Sequence, residues 1–196
     1  MYKKQMNLQK IVCLLAMVAS VLVFIYSLGI MTDLYDCLYS TMRNPADLTQ
    51  TSVPGSIVYY DMQQFNSLYL NASIVLILAA CLLFLTNTNI RRKYYIGNYI
   101  AIAIYVISTL GVGIWSHGQI EQFKAQFLML DFEALLKHSE MWKTAYTEST
   151  LWFDLHYAVL AVSVIACAAL VGNMIWKMNL MKEEKALLSN GKEVAV

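Results

Sequence analysis

Apolar residues along this chain gather into four long blocks, and the polar stretches between them are of unequal length. Ile11–Met31 runs without a charge from Lys10 to Asp33, and Leu68–Thr86, Tyr94–Ser116 and Leu155–Trp176 follow. None of the four contains an internal Asp, Glu, Lys or Arg. Each lies near the ~20 residues that cross a ~30 Å hydrocarbon core, so the pattern predicts four transmembrane helices over 11–31, 68–86, 94–116 and 155–176. Asn71 and Ser73 make the second the weakest. The link Asn87–Lys93 is short, which predicts a tight antiparallel helical hairpin. The expected fold class is therefore an all-α membrane protein, a four-transmembrane-helix antiparallel bundle forming one domain over residues 1–196.

The polar stretches carry patterns of their own. Residues 119–141 read as a helix with an apolar stripe of Ile120, Phe123, Phe127, Leu130 and Ala134, while Phe132, Leu135 and Leu136 fall on other faces. Gln122, Gln126, Glu133 and Lys137 form its wet stripe, and Lys124 and Asp131 are placed to pair. A helix this apolar around its circumference is normally buried. Three coverings are open: the other loop, the headgroup layer, or another protein. In the first loop Leu34, Leu38 and Met42 have helical spacing within Asp33–Met42, Ile57–Tyr60 is β-prone, and Asn44-Pro45 and Pro54-Gly55 mark a break and a turn. Together the two loops are expected to form a small cap. Lys177–Ser189 contains no helix breaker and predicts an extension of the fourth helix, with Asn190-Gly191 as its stop.

Charge orients the frame. Lys3, Lys4 and Lys10 precede the first span, Arg91, Arg92 and Lys93 link the second and third, and Lys177, Lys182, Lys185 and Lys192 follow the fourth. Loop 32–67 has only Arg43, and loop 117–154 has Lys124, Lys137 and Lys143. Cytoplasmic segments are rich in Lys and Arg, so both termini and the tail 177–196 are expected in the cytoplasm and the two long loops outside the cell membrane. Tyr94, Tyr95, Trp115, Trp152, Phe153, Tyr157 and Trp176 sit at span ends, where aromatic rings meet the headgroups. The first apolar run exceeds the 7–15 residues of a signal-peptide core, so it is expected to stay as an anchor.

Helix association in lipid rests on close backbone approach and polar contacts. Gly97 with Ala101, and Ala161 with Ala168 and Gly172, place small residues at helical spacing. Ser20, Asn71, Asn98, Ser108, Thr109, Ser163 and Asn173 are the polar candidates for bonds between helices.

Composition excludes more than it assigns. The chain is 59% hydrophobic and 14% charged, with net charge +1, against roughly 25% charged in an average soluble domain. No nucleic-acid partner is expected. Cys13, Cys81 and Cys167 lie within spans and Cys37 alone lies outside, so no disulfide is expected in the loops and no C-x-x-C pair exists. The Cys-Cys-Gly and Trp…Cys…Cys outer-loop signatures of tetraspanins and claudins are absent, so the shared four-span layout carries no function. His117 and His156 end neighbouring spans, and Asp154 beside them makes these three the weak candidates for a metal or catalytic site, on a spacing that matches no ligand motif. No catalytic residue or cofactor is assigned. The expectation is a non-catalytic accessory subunit that binds another membrane protein, or a second copy, through Ile120, Phe123, Phe127, Leu130, Phe132 and Leu136. A small oligomeric transporter or channel is the alternative, although the spans lack the ionisable groups of an ion path. A membrane enzyme with an outer-face site is the second alternative.

Overall fold

The computed structural model describes residues 2–29, 55–88, 96–142 and 146–193. Among them are five α-helices and no strand: α1 (Tyr2–Gly29), α2 (Ser56–Asn87), α3 (Ile96–Leu128), α4 (Phe132–Trp142) and α5 (Leu151–Glu193). The helices α1, α2, α3 and α5 are long and apolar enough to cross a membrane. In hydrocarbon a helix satisfies its backbone groups within one segment, which is why apolar blocks of this length take that form. Asp33–Met42, Cys37, Asn44-Pro45, Pro54 and the Arg91–Tyr95 run lie outside the described residues.

All four helices overshoot their apolar blocks. α1 begins at Tyr2, and α5 continues to Glu193. α2 starts at Ser56, so Ile57–Tyr60, expected to be β-prone, is helical instead. Strand propensity is weak and context-dependent, and here burial of Val58 and Met62 on the helical face outweighs it. Gly55, with φ of 82°, supplies the left-handed turn just before that helix.

The single helix expected over 119–141 is in fact two. α3 runs on to Leu128 and the chain then bends through residues 129–131 into α4. Met129 and Leu130 donate to the carbonyls of Gln126 and Phe127, tightening the last turn of α3. The Asp131 carboxylate accepts from the Ala134 amide at 3.0 Å and caps α4. Asp131 is thus not the partner of Lys124, which pairs with Asp154 at 2.6 Å. The bend has a packing reason. Phe127 and Leu135 are both fully buried, and Phe132 meets Phe127 edge-on with ring centroids 5.3 Å apart. A straight helix would have left those apolar faces pointing in different directions.

The chain divides into two compact units, and each long helix gives one stretch to each. The tail unit comprises Met1–Ser20, Leu76–Leu110 and Val162–Val196. Its core joins Cys13, Ala16, Ala80, Leu83, Tyr105 and Leu170, so small side chains meet larger ones. The Tyr105 hydroxyl donates to the Ala16 carbonyl at 2.7 Å and lies 3.0 Å from the Ser20 hydroxyl. The Asn87 amide donates to the Asn98 carbonyl at 3.2 Å, tying the end of α2 to the start of α3. Gln5 donates to Gln9 and to Asn173, and Asn173 donates in turn to Gln9. Lys177 is 1% exposed beside this cluster's helix, its ammonium 5.7 Å from the Tyr99 ring centroid.

The loop unit comprises Val21–Val75 and Gly111–Ala161 and is built on aromatic rings. The Tyr26 hydroxyl donates to the Trp152 carbonyl at 2.9 Å. Phe65 stacks on Tyr69, and Phe127 packs on Phe153. A Cβ added to Gly29 would lie 2.7 Å from the Trp152 ring, so that close approach requires glycine.

Two variants test this account of the tail-unit core. Tyr105→Phe keeps the ring and removes the bond to Ala16, and should lower stability by about 0.6 kcal/mol and at most about 1.7 kcal/mol, the average and the maximum for hydrogen bonds between membrane helices. Tyr105→Ala empties the core and should cost about 3–5 kcal/mol, as for large-to-small core changes. Unfolding in mixed detergent micelles measures both.

Candidate functional site

The loop unit brings the sequence-predicted polar residues together, though not as one site. His117 and His156 stack with ring centroids 5.6 Å apart and planes 12° from parallel, and Tyr26 packs on His156 at 5.6 Å. His156 is 2% exposed, and among the described residues neither of its ring nitrogens has a hydrogen-bond partner. Asp154 turns elsewhere. Its carboxylate accepts from Lys124 at 2.6 Å and from the Thr150 hydroxyl at 2.8 Å. Glu121 accepts from the Tyr157 hydroxyl at 2.8 Å. Among the described residues no group of three His, Cys, Asp or Glu side chains is placed to hold a metal ion. Two stacked rings and two separate polar pairs form a seam between α3 and α5 that fastens these helices.

Of the residues expected to face a partner, Ile120, Phe123 and Phe127 are buried within the chain. Leu130 and Phe132 are half-buried, and Leu136 alone is exposed, at 38%. Of the expected packing residues, Ala101 is in the tail-unit core and Gly97 is half-buried. Ala161, Ala168 and Gly172 are exposed on α5, and a Cβ added to Gly172 would meet nothing within 4 Å.

The same unit contains an open groove of about 330 Å³ between α2 and α3. Phe65, Trp115 and Phe123 make its floor. Gln119, Gln122 and Gln126 line it from α3 and Gln64 from α2, with the Asp61 carboxylate beside them. The three α3 glutamines stand at i, i+3 and i+7, one helical face. Sequence reasoning noted Gln122 and Gln126 as a wet stripe but assigned no role to Asp61, Gln64 or Phe65. Their link to α3 depends on α2 starting at Ser56, several turns before its apolar block. It also overlooked the cluster of Gln5, Gln9 and Asn173, whose signal is the i, i+4 spacing of the two glutamines continued by Cys13.

Comparison with protein-family models, with curated proteins and with solved structures finds no match to this chain.

The histidine pair yields a direct prediction. His156→Phe replaces two unpartnered buried nitrogens with carbon at nearly constant shape, and removing buried polar atoms in that way is neutral or stabilising. The melting temperature in detergent should stay level or rise. His156→Ala, which removes the ring between Tyr26 and His117, should lower it clearly.

Proposed function

We propose that this chain is a non-catalytic accessory subunit of a cell-membrane complex. It is read as an antiparallel bundle of four spans with both termini in the cytoplasm. The observation that carries the reading is the open small-residue face of α5. Ala161, Ala168 and Gly172 lie at i, i+7 and i+11 and are exposed, and small residues at such spacing let a second helix approach closely. Packing of Ile120, Phe123 and Phe127 inside the chain moves the partner surface from the 119–141 region to this helix. Beyond the fourth apolar block, residues 182–187 of α5 are exposed on every side, which gives the partner a second, charged stretch. The excess of Lys and Arg in the tails and in the 87–93 link supports the orientation.

The partner is another membrane protein or a second copy of this chain. Ala168→Leu and Gly172→Leu should release it from the complex purified in mild detergent, because each fills the slot a helix would occupy. Both should leave the melting temperature of the free chain near that of the parent, since both positions are exposed and a Cβ at Gly172 meets nothing within 4 Å. Recovery of the parent chain as a lone monomer, with nothing co-purifying, would overturn the reading. Epitope tags at either terminus should be reached by antibody only after the cell membrane is permeabilised.

A further inference from the structure

We propose that the groove between α2 and α3 binds the sugar headgroup of a lipid. The inference takes its membrane frame from the topology above and does not depend on the partner of α5.

The lining selects the chemistry. A glutamine side chain both donates and accepts hydrogen bonds, so Gln64, Gln119, Gln122 and Gln126 match the mixed donors and acceptors of ring hydroxyls. The Gln126 side-chain oxygen is buried and has no hydrogen-bond partner among the described residues. Among the described residues Asp61 is the one charged residue of the lining, which contains no Lys or Arg. A phosphate or carboxylate ligand would bring a like charge to that carboxylate and find no cation to answer it, whereas a pair of sugar hydroxyls can both donate to it.

The floor points the same way. Phe65 lies 5.2 Å from Trp115 and 5.4 Å from Phe123 between ring centroids. Rings that touch one another leave no gap in which to cage an ammonium group, the arrangement that recognises choline. Of the three, Trp115 is the exposed ring and offers its face to the flat C–H side of a sugar ring, while Phe65 and Phe123 are buried. The volume of about 330 Å³ is at the low end of the ~300–1,000 Å³ range of ligand pockets and suits a small headgroup.

The lipid tail is inferred from where the groove begins. Leu68 and Trp115 are exposed at its membrane end, where the apolar blocks of α2 and α3 stop. One turn farther along each helix stand Ala72 and Gly111, and a Cβ added to Gly111 would meet nothing within 4 Å. Small side chains below an exposed Leu and Trp leave an apolar track into the hydrocarbon layer, while the glutamines and Asp61 continue away from it.

The test uses the full chain in phosphatidylcholine nanodiscs containing monoglucosyl diacylglycerol or, separately, phosphatidylglycerol. Lipids retained by the protein are read by native mass spectrometry. The glucolipid should be retained at least about tenfold over both phospholipids. Gln64 and Gln122 are exposed, so the double variant Gln64→Leu/Gln122→Leu should fold, and should lower that retention about five- to tenfold. Asp61→Asn should weaken it in the same direction. Methyl glucoside added in excess separates the two sources of the sugar. Displacement shows that free sugar suffices, and persistence shows that the site needs sugar carried on a lipid. Equal retention of the phospholipids, full retention by the double variant, or displacement of the glucolipid by unglycosylated peptide would overturn the proposal.

Discussion

An apolar side chain in a bilayer gains nothing by leaving lipid for another apolar side chain, so four helices of this composition need some other reason to stay together. In the tail unit that reason is hydrogen bonding in a place where water cannot compete. Tyr105 and Ser20 converge on one carbonyl of α1, and Gln5, Gln9 and Asn173 close a ring of carboxamides between α1 and α5. Around these contacts the side chains are small (Cys13, Ala16, Ala80, Ala101), which lets the backbones come near enough for the bonds to form. The bonds and the small residues are one device, since neither acts without the other.

The loop unit meets the same problem with different chemistry. Its helices run beyond the apolar blocks, and there aromatic surface can be buried from water. Rings from α2, α3, α4 and α5 pack edge to face or tilted, and polar pairs such as Lys124 with Asp154 and Tyr157 with Glu121 close the exposed side. The exposed ion pair adds little stability of its own. It joins α3 to the start of α5, the same two helices whose His117 and His156 rings stack.

Much of this was legible in the sequence, because period and length are written directly into it. The four apolar blocks became four helices, and the uncharged runs mark them without ambiguity. Ser20 and Asn173 were recognisable as interhelical partners, but Gln5 and Gln9 were not, since they precede the apolar block and read as tail. The 119–141 pattern showed apolar residues on several faces, and one helix cannot bury them all. The bend at Asp131 is the answer, and it needed a capping role that the possible pairing with Lys124 obscured. The groove was illegible for another reason. Its two walls come from segments that are nearly fifty residues apart at their closest, Leu68 and Trp115, and no periodicity links Gln64 to Gln122.

The unbroken length of α5 has a mechanical meaning. At 1.5 Å per residue its 43 residues make a rod about 65 Å long, more than twice a ~30 Å hydrocarbon core. No turn or proline separates the stretch that carries the seam with α3 from the stretch that carries the exposed Lys182 and Lys185. Residues 177–193 continue the same helix for about 25 Å beyond the apolar block.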